Sequence, residues 1–106
     1  MSAPKPRLDM LREMVAKDPK SAFPRYGLAM ELAALGRLEE AVEAFRALSA
    51  DLPSYVPTYF HAGKTLEKLG RVDEAREAYR RGIEAATAAG NRHARDELEA
   101  ALGLLE

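Results

Sequence analysis

The chain has 106 residues, enough for one small domain with a modest hydrophobic core. Its 16 basic and 17 acidic residues leave a net charge of −1, so no overall charge attracts it to nucleic acid or to an anionic membrane. The chain lacks cysteine, which excludes disulfides and thiolate chemistry, and no stretch approaches the ~20 apolar residues of a membrane span. We therefore expect a single domain over residues 1–106 of a cytoplasmic protein.

Helix-breaking residues divide the chain into six predicted helices. The first runs from about Pro6 to Lys17 and ends at Asp18, because a residue before proline is pushed out of the α conformation. The second, third, fifth and sixth are predicted over about 22–35, 38–50, 72–88 and 92–105. The side chains that the first helix is expected to bury are Leu8, Leu11, Met14 and Val15.

The predicted helices carry start and stop residues. Ser21 and Ser54 are the predicted N-caps of the second and fourth helices, and the fourth helix ends near Leu69. Gly36 and Gly70 follow these two helices, at the position where a left-handed glycine commonly closes a helix. The third and fifth helices open with pairs of carboxylates, which favour the positive end of the helix dipole. These pairs are Glu39 with Glu40 and Asp73 with Glu74.

The chain contains an internal repeat. Residues 32–46 recur 34 positions later as residues 66–80, with nine of the fifteen positions identical. A fixed period of this length with a helical pattern indicates stacked units, each unable to bury its apolar face alone. The first copy is carried by Arg25, Leu28, Ala29, Leu32, Gly36, Ala41, Phe45, Leu48 and Pro53. The second is carried by Tyr59, Ala62, Gly63, Leu66, Gly70, Ala75, Tyr79 and Gly82, with Thr87 where a closing proline is expected.

These residues resemble the tetratricopeptide repeat, whose pattern combines large, small and aromatic residues at fixed positions of two helices. The resemblance covers roughly residues 6–87 and implies an all-α, right-handed solenoid of antiparallel helix pairs. It predicts a half repeat at 6–18, full repeats at 22–55 and 56–89, and a capping helix at 91–106. We interpret the last helix as a solvating cap, because its apolar residues form one stripe. A detachable binding helix or a dimerisation surface is the alternative.

Two groups of residues are predicted to pack the helices together. Small residues are expected where helix axes approach closely, because larger side chains there would force the axes apart. These are Ala29, Ala41, Gly63, Ala75, Ala78 and Gly82. Large apolar residues are expected to fill the remaining core. These are Leu28, Leu32, Leu35, Leu48, Leu66, Leu69, Phe45 and Tyr79.

In the resembled family, the first helix of each pair lines a concave groove that holds an extended peptide or a partner helix. The matching positions in this chain are Phe23, Tyr26, Met30, Ala33, Phe60, Lys64, Glu67 and Lys68, with Tyr55 and Pro57 near the entrance. The aromatic residues predict apolar anchoring, and Lys64 and Lys68, one turn apart, are spaced to bind a carboxylate. Alternatively, Tyr26 and Phe60 fill gaps between helices and the two lysines belong to a solvated face.

The sequence predicts no catalytic site, cofactor or metal. His61 and His93 are the only histidines and fall on different predicted helices, so we interpret both as surface or inter-helix residues. The favoured function is a non-catalytic interaction module whose partner is another protein. A helical-repeat RNA-binding protein and a structural unit that self-associates as a homo-oligomer are the alternatives. The basic patch for RNA would comprise Arg76, Arg80, Arg81, Arg92 and Arg95, but neighbouring acidic residues argue against it.

Overall fold

A computed structural model describes residues 6–106, so the first five residues of the predicted domain 1–106 lie outside the described part. This part contains six helices and no strand, which confirms the all-α prediction. The helices are α1 (Arg7–Lys17), α2 (Ala22–Ala34), α3 (Leu38–Asp51), α4 (Pro57–Lys68), α5 (Val72–Ala88) and α6 (Arg92–Gly103). None of these helices is long and apolar enough to cross a membrane.

The helices stack in chain order, and they form two rows. Each helix packs against the next one along the chain, from α1 through α6. In addition α2 contacts α4 and α4 contacts α6, whereas α1, α3 and α5 do not contact one another. Helices that touch their equivalents lie on the inner side of a curved stack. The row formed by α2, α4 and α6 therefore lines the concave surface.

Glycines in a left-handed conformation close three of the helices. Gly36 and Gly70 have φ angles of 78° and 75°, which confirms the predicted stops, and Gly90 closes α5 with a φ of 69°. At the end of α2, the Arg37 amide donates to the carbonyl of Leu32 at 2.9 Å, and the Gly36 amide donates to the carbonyl of Ala33 at 3.0 Å. This pair of bonds is the Schellman motif, which satisfies carbonyls at a helix end.

The helix starts differ from the prediction. Ser21 is the N-cap residue of α2, but its side chain makes no capping hydrogen bond. The predicted cap at Ser54 is wrong: α4 begins at Pro57, and Val56 precedes it as the N-cap. The chain turns once more before the helix starts, because the Tyr55 amide donates to the carbonyl of Leu52 at 3.1 Å.

Two clusters of buried side chains hold the stack together. One lies around α2 and α3 and contains Leu8, Ala29, Leu32, Ala41, Phe45 and Ala62. The other joins α4, α5 and α6 and contains Val42, Val56, Tyr59, Leu66, Ala75, Tyr79, Ala86, Leu98 and Ala101. Close approach is confirmed at two of the predicted small positions. A Cβ added to Gly63 would lie 2.2 Å from the Tyr79 ring, and one added to Gly82 would lie 2.6 Å from Cβ of Tyr59.

Two residues that the sequence pattern predicts to be buried are exposed. Leu35 is 54% exposed because it is the C-cap residue of α2, beyond the last helical turn. Met14 is 44% exposed, next to Met10 at 52% on the same helix. In the described part α1 packs against α2 alone, so the opposite face of α1 has no neighbour to cover it.

Candidate functional site

The concave row carries two depressions, which together we call the groove. The first, the α2–α4 depression, holds about 230 Å³ and is lined by Met30, Ala33, Ala34, His61, Lys64, Thr65 and Lys68. The second, the α4–α6 depression, holds about 180 Å³ and is lined by Val56, Pro57, Phe60, His61, Asn91, His93, Ala94, Glu97 and Leu98. His61 lines both, so the groove crosses α4 at this residue.

Six of the ten predicted groove residues line these depressions. Met30, Ala33, Lys64 and Lys68 are brought together in the α2–α4 depression. Pro57 and Phe60 lie in the α4–α6 depression instead. The other four, Phe23, Tyr26, Tyr55 and Glu67, line neither depression. The predicted residues therefore occupy two separate parts of the concave side rather than one continuous strip.

Aromatic side chains join the two depressions. The Tyr26 ring centroid lies 5.7 Å from Tyr55 and 5.7 Å from His61, in edge-to-face contacts. His61 in turn meets Phe60 edge-on at 5.3 Å. We call Tyr26, Tyr55, His61 and Phe60 the aromatic cluster. Each such contact restrains the rings it joins, so the cluster offers a preformed apolar surface. Tyr26 also lies 6.4 Å from the buried ring of Phe45, which ties the cluster to the core.

Phe23 differs from the cluster in its exposure. It lies in the first turn of α2 and is 69% exposed, although it is a large apolar residue. Tyr26 and Phe60 are half-buried by comparison. Removing Phe23 therefore costs the fold little, whereas removing a cluster residue also removes its ring contacts with its neighbours.

The charged residues predicted for the groove differ in whether neighbouring side chains already engage them. The Lys64 ammonium lies 3.8 Å from a Glu67 carboxylate oxygen and 5.5 Å from the centroid of the Phe60 ring. Glu67 also accepts a hydrogen bond from the Tyr79 hydroxyl, so two neighbours already engage this carboxylate. Burial and this hydrogen bond raise the pKa of Tyr79 above the ordinary tyrosine value. Lys68, in contrast, is exposed and forms no ion pair with any residue between 6 and 106.

On the α6 side, the groove is lined by the carboxylate of Glu97 and the imidazole of His93. The Glu97 carboxylate lies 3.3 Å from Nε2 of His93, a pair that is ionic only when the imidazole is protonated. Burial lowers the pKa of His61, and attraction to Glu97 partly opposes this effect. A lowered pKa keeps His61 neutral at pH 7. Glu97 is the one carboxylate among the described residues that line the two depressions, and it lies in the same depression as a neutral His61.

The contribution of α6 to the groove does not follow from the sequence pattern. That pattern indicates a cap, and the predicted groove does not include His61, Ala94 or Glu97. The helix does bury Leu98 and Ala101, and Arg76 of α5 donates to the carbonyl of Leu105 at 2.6 Å. One feature of the sequence does indicate that α6 lines the groove. Successive helices alternate between the two rows, so α6 lies on the same side of the stack as α2 and α4.

Most of the arginines considered as a basic patch are already paired. Arg76 lies 2.6 Å from an Asp73 oxygen, and Arg80 lies 3.6 Å from Glu106. Arg95 lies 3.3 Å from Asp96 and 3.8 Å from Glu99. In the described residues, no three His, Asp or Glu side chains are grouped as metal ligands.

Comparisons with known proteins agree with this architecture. A family model described as tetratricopeptide repeat matches residues 25–49 and 56–88. A tetratricopeptide repeat domain protein from Salinibacter ruber, solved by NMR, is 38% identical with a TM-score of 0.79, covering 84% of this chain and 90% of that one. Protein BPP2914 from Bordetella parapertussis is 26% identical with a TM-score of 0.81, covering 96% and 89%.

A further solved structure shares the fold at low identity. PcrH, in complex with the chaperone binding region of PopD, is 19% identical with a TM-score of 0.85, covering 92% of this chain and 74% of that one. No curated protein is similar enough in sequence to match the chain. The repeat in the sequence, the stacked helix pairs and these matches lead to one conclusion: the chain belongs to the tetratricopeptide repeat family.

Proposed function

We propose that this chain is a non-catalytic protein-interaction module that binds a segment of a partner protein in the groove. The observation that carries this proposal is the aromatic cluster, a preformed apolar surface that adjoins both depressions through His61. Aromatic side chains bury a large area at low entropic cost and dominate many protein interfaces. The cytoplasm is the location that we propose for this interaction.

The fold of the family supports a protein partner. PcrH, which shares this fold, was crystallised with the chaperone binding region of PopD, so the fold can accommodate a segment of another protein. Family members are in general interaction modules without catalytic activity. This similarity does not identify the partner of this chain, because at 19% identity it shows only that the two proteins share a fold.

The charges favour a protein over RNA as the partner. RNA binding needs arginines and lysines that are free to replace the counterions of phosphates. Here Arg76, Arg80 and Arg95 are engaged by carboxylates. Binding through the groove should therefore weaken only modestly between about 50 and 200 mM salt, whereas several phosphate contacts would cost a thousandfold or more.

Site-specific photo-cross-linking in an extract of the source organism tests the proposal. A photoreactive amino acid replaces Lys68 or His93, which are exposed and line one depression each, and Ala47 or Glu84 on the exposed sides of α3 and α5 in the control proteins. We expect the same partner to be cross-linked from both groove positions and from neither control position. Cross-links that come only from the control positions would overturn the proposal.

Self-association is the second candidate function, because α1 exposes Met10 and Met14 on a face that no described helix covers. Two copies could bury these faces against each other. Light scattering at two protein concentrations measures the mass directly, and replacing both methionines by Glu should leave the mass unchanged if the chain is a monomer. A dimer mass that falls to the monomer mass in this variant would support self-association through α1.

A further inference from the structure

We propose that the partner segment is extended and carries one acidic and one basic residue about four positions apart. The acidic residue binds Lys68 in the α2–α4 depression, and the basic residue binds Glu97 in the α4–α6 depression. This inference rests on the proposed function, since it specifies the chemistry of the segment that the groove binds.

The two ends of the groove carry opposite charges that are available to a ligand. Lys68 forms no ion pair with the described residues, and Lys64 adds a second ammonium one turn away, although Glu67 partly neutralises it. At the other end, Glu97 is neutralised by His93 only when that imidazole is protonated. With a neutral His93 the groove is therefore positive beside α2 and negative beside α6.

The size of the depressions favours an extended segment over a helix. Each depression holds about 180 to 230 Å³. A helix with its side chains is about 10–12 Å across, so it cannot enter either depression. Single side chains of an extended chain can enter, and successive side chains on one face of such a chain are two residues apart.

The distance between the two charges sets the spacing in the ligand. The starts of α4 and α6 are level, since Pro57 and His93 line one depression. Lys68 comes eleven residues after Pro57, and Glu97 comes five residues after Arg92. The difference of six residues corresponds to about 9 Å along the helix axes, and neighbouring axes are about 8–10 Å apart. The resulting diagonal is roughly 13 Å, or about four residues of extended chain.

The arrangement predicts the order of charges across the groove. An acidic residue beside Glu97 and a basic residue beside Lys68 would each meet a like charge, which suppresses the reversed arrangement. The expected motif is an acidic and a basic residue about four positions apart. A segment with the two charges exchanged can bind only if its chain runs the other way.

Selection from a random peptide display library tests the inference on the full chain. The wild-type protein should enrich peptides with this motif. Lys68→Glu should enrich peptides in which a basic residue replaces the acidic one, and Glu97→Lys should enrich peptides in which an acidic residue replaces the basic one. For single peptides measured by fluorescence polarisation, each reversal should weaken the original peptide about tenfold or more, and the matching peptide change should restore binding.

Lys20→Glu and Glu43→Lys are matched controls, because both residues are exposed and lie outside the groove. They should enrich the wild-type motif. If all variants enrich one set of uncharged apolar peptides, the inference fails while groove binding stands. If nothing is enriched on the wild-type protein and the groove cross-links are also absent, both the inference and the proposed function fail.

Discussion

The ring of Tyr79 lies directly on the backbone of Gly63. A Cβ built on Gly63 would be 2.2 Å from Cε1 of Tyr79, well inside the contact distance of two carbon atoms. Gly63 belongs to α4 and Tyr79 to α5, so the absence of one side chain sets how closely these helices approach. The Tyr79 hydroxyl then returns to α4 and donates to Glu67. One aromatic residue thus joins the helix pair by packing and by a hydrogen bond.

Gly63→Ala is predicted to destabilise the protein. Alanine improves helix propensity by about 1 kcal/mol, but the added methyl group displaces a buried ring. We expect a net loss of about 1–3 kcal/mol in the free energy of unfolding, measured by urea denaturation. Gly103→Ala is the control, because Gly103 also lies in a helix and its added Cβ meets no atom within 4 Å. Equal effects at the two positions would contradict the packing role of Gly63.

The glycine stops lead to a second prediction. Gly36 has a φ of 78°, and a Cβ added to it would meet open space, so a substitution there acts through backbone strain alone. Gly36→Val should lower the free energy of unfolding by more than about 1 kcal/mol, since a β-branched residue is strained at positive φ. Gly36→Asn should cost clearly less, because asparagine tolerates the left-handed region. Thermal melts in which valine and asparagine behave alike would refute this interpretation of the helix stop.

The raised pKa of Tyr79 predicts a loss of stability in alkali. A tyrosine with a raised pKa in the folded state is stabilising below its unfolded pKa, about 10, and this contribution is lost as the pH rises further. The urea midpoint of the wild-type protein should therefore fall between about pH 10 and pH 11. Tyr79→Phe should show a smaller fall, although Tyr26 and Tyr59, whose pKa values are also raised by burial, retain part of it. If the urea midpoint of Tyr79→Phe falls with pH as steeply as that of the wild-type protein, groups other than Tyr79 cause the loss of stability.

Two leucines of the C-terminal region allow a sharp test of the capping role of α6. Leu98 is 1% exposed and packs on Gly82, whereas Leu104 is 82% exposed. Leu98→Ala should cost about 2–5 kcal/mol and lower the melting temperature, since it leaves a cavity between α5 and α6. Leu104→Ala should have almost no effect. If Leu98→Ala melts like the wild-type protein, α6 is not part of the stabilising stack and the alternative of a detachable helix gains support.

The features that the sequence predicts well depend on local chemistry. Gly36 and Gly70 each close a helix because glycine adopts the left-handed conformation readily. They lie 34 residues apart, so the repeat predicts the same helix stop twice. Burial at the ends of the stack is predicted less well, because it depends on whether a neighbouring helix is present. Met14 has the right spacing for a core residue, but α1 lacks a second neighbour in the described part.

The groove requires tertiary information. His61 and Glu97 lie on helices that are separated by α5 in sequence, and only the stacking of α6 beside α4 brings them to one depression. The cap at Ser54 is wrong for a different reason, since the backbone turn at Tyr55 delays the start of α4. The boundaries of the repeat units and the binding role of the ten predicted groove residues stay predictions.

The exposed Phe23 lies outside the two depressions but one helical turn before Tyr26 of the aromatic cluster, so its replacement tests binding separately from folding. Phe23→Ala should leave the melting temperature nearly unchanged, because the side chain is 69% exposed. It should weaken the binding of the cross-linked partner or of a selected peptide by about tenfold or more, as expected for an aromatic anchor worth about 2 kcal/mol. Fluorescence polarisation and a thermal melt on the same sample measure both quantities.

Leu35→Ala is the matched control, because Leu35 is also a large apolar residue, 54% exposed, at the other end of α2. It should change neither binding nor the melting temperature. Tyr26→Ala should instead lower both, since the Tyr26 ring contacts Tyr55 and His61 as well as the buried Phe45. If Phe23→Ala binds as tightly as the wild-type protein while Leu35→Ala binds less, the partner contacts the end of α2 near Gly36, and the groove is not its main binding surface.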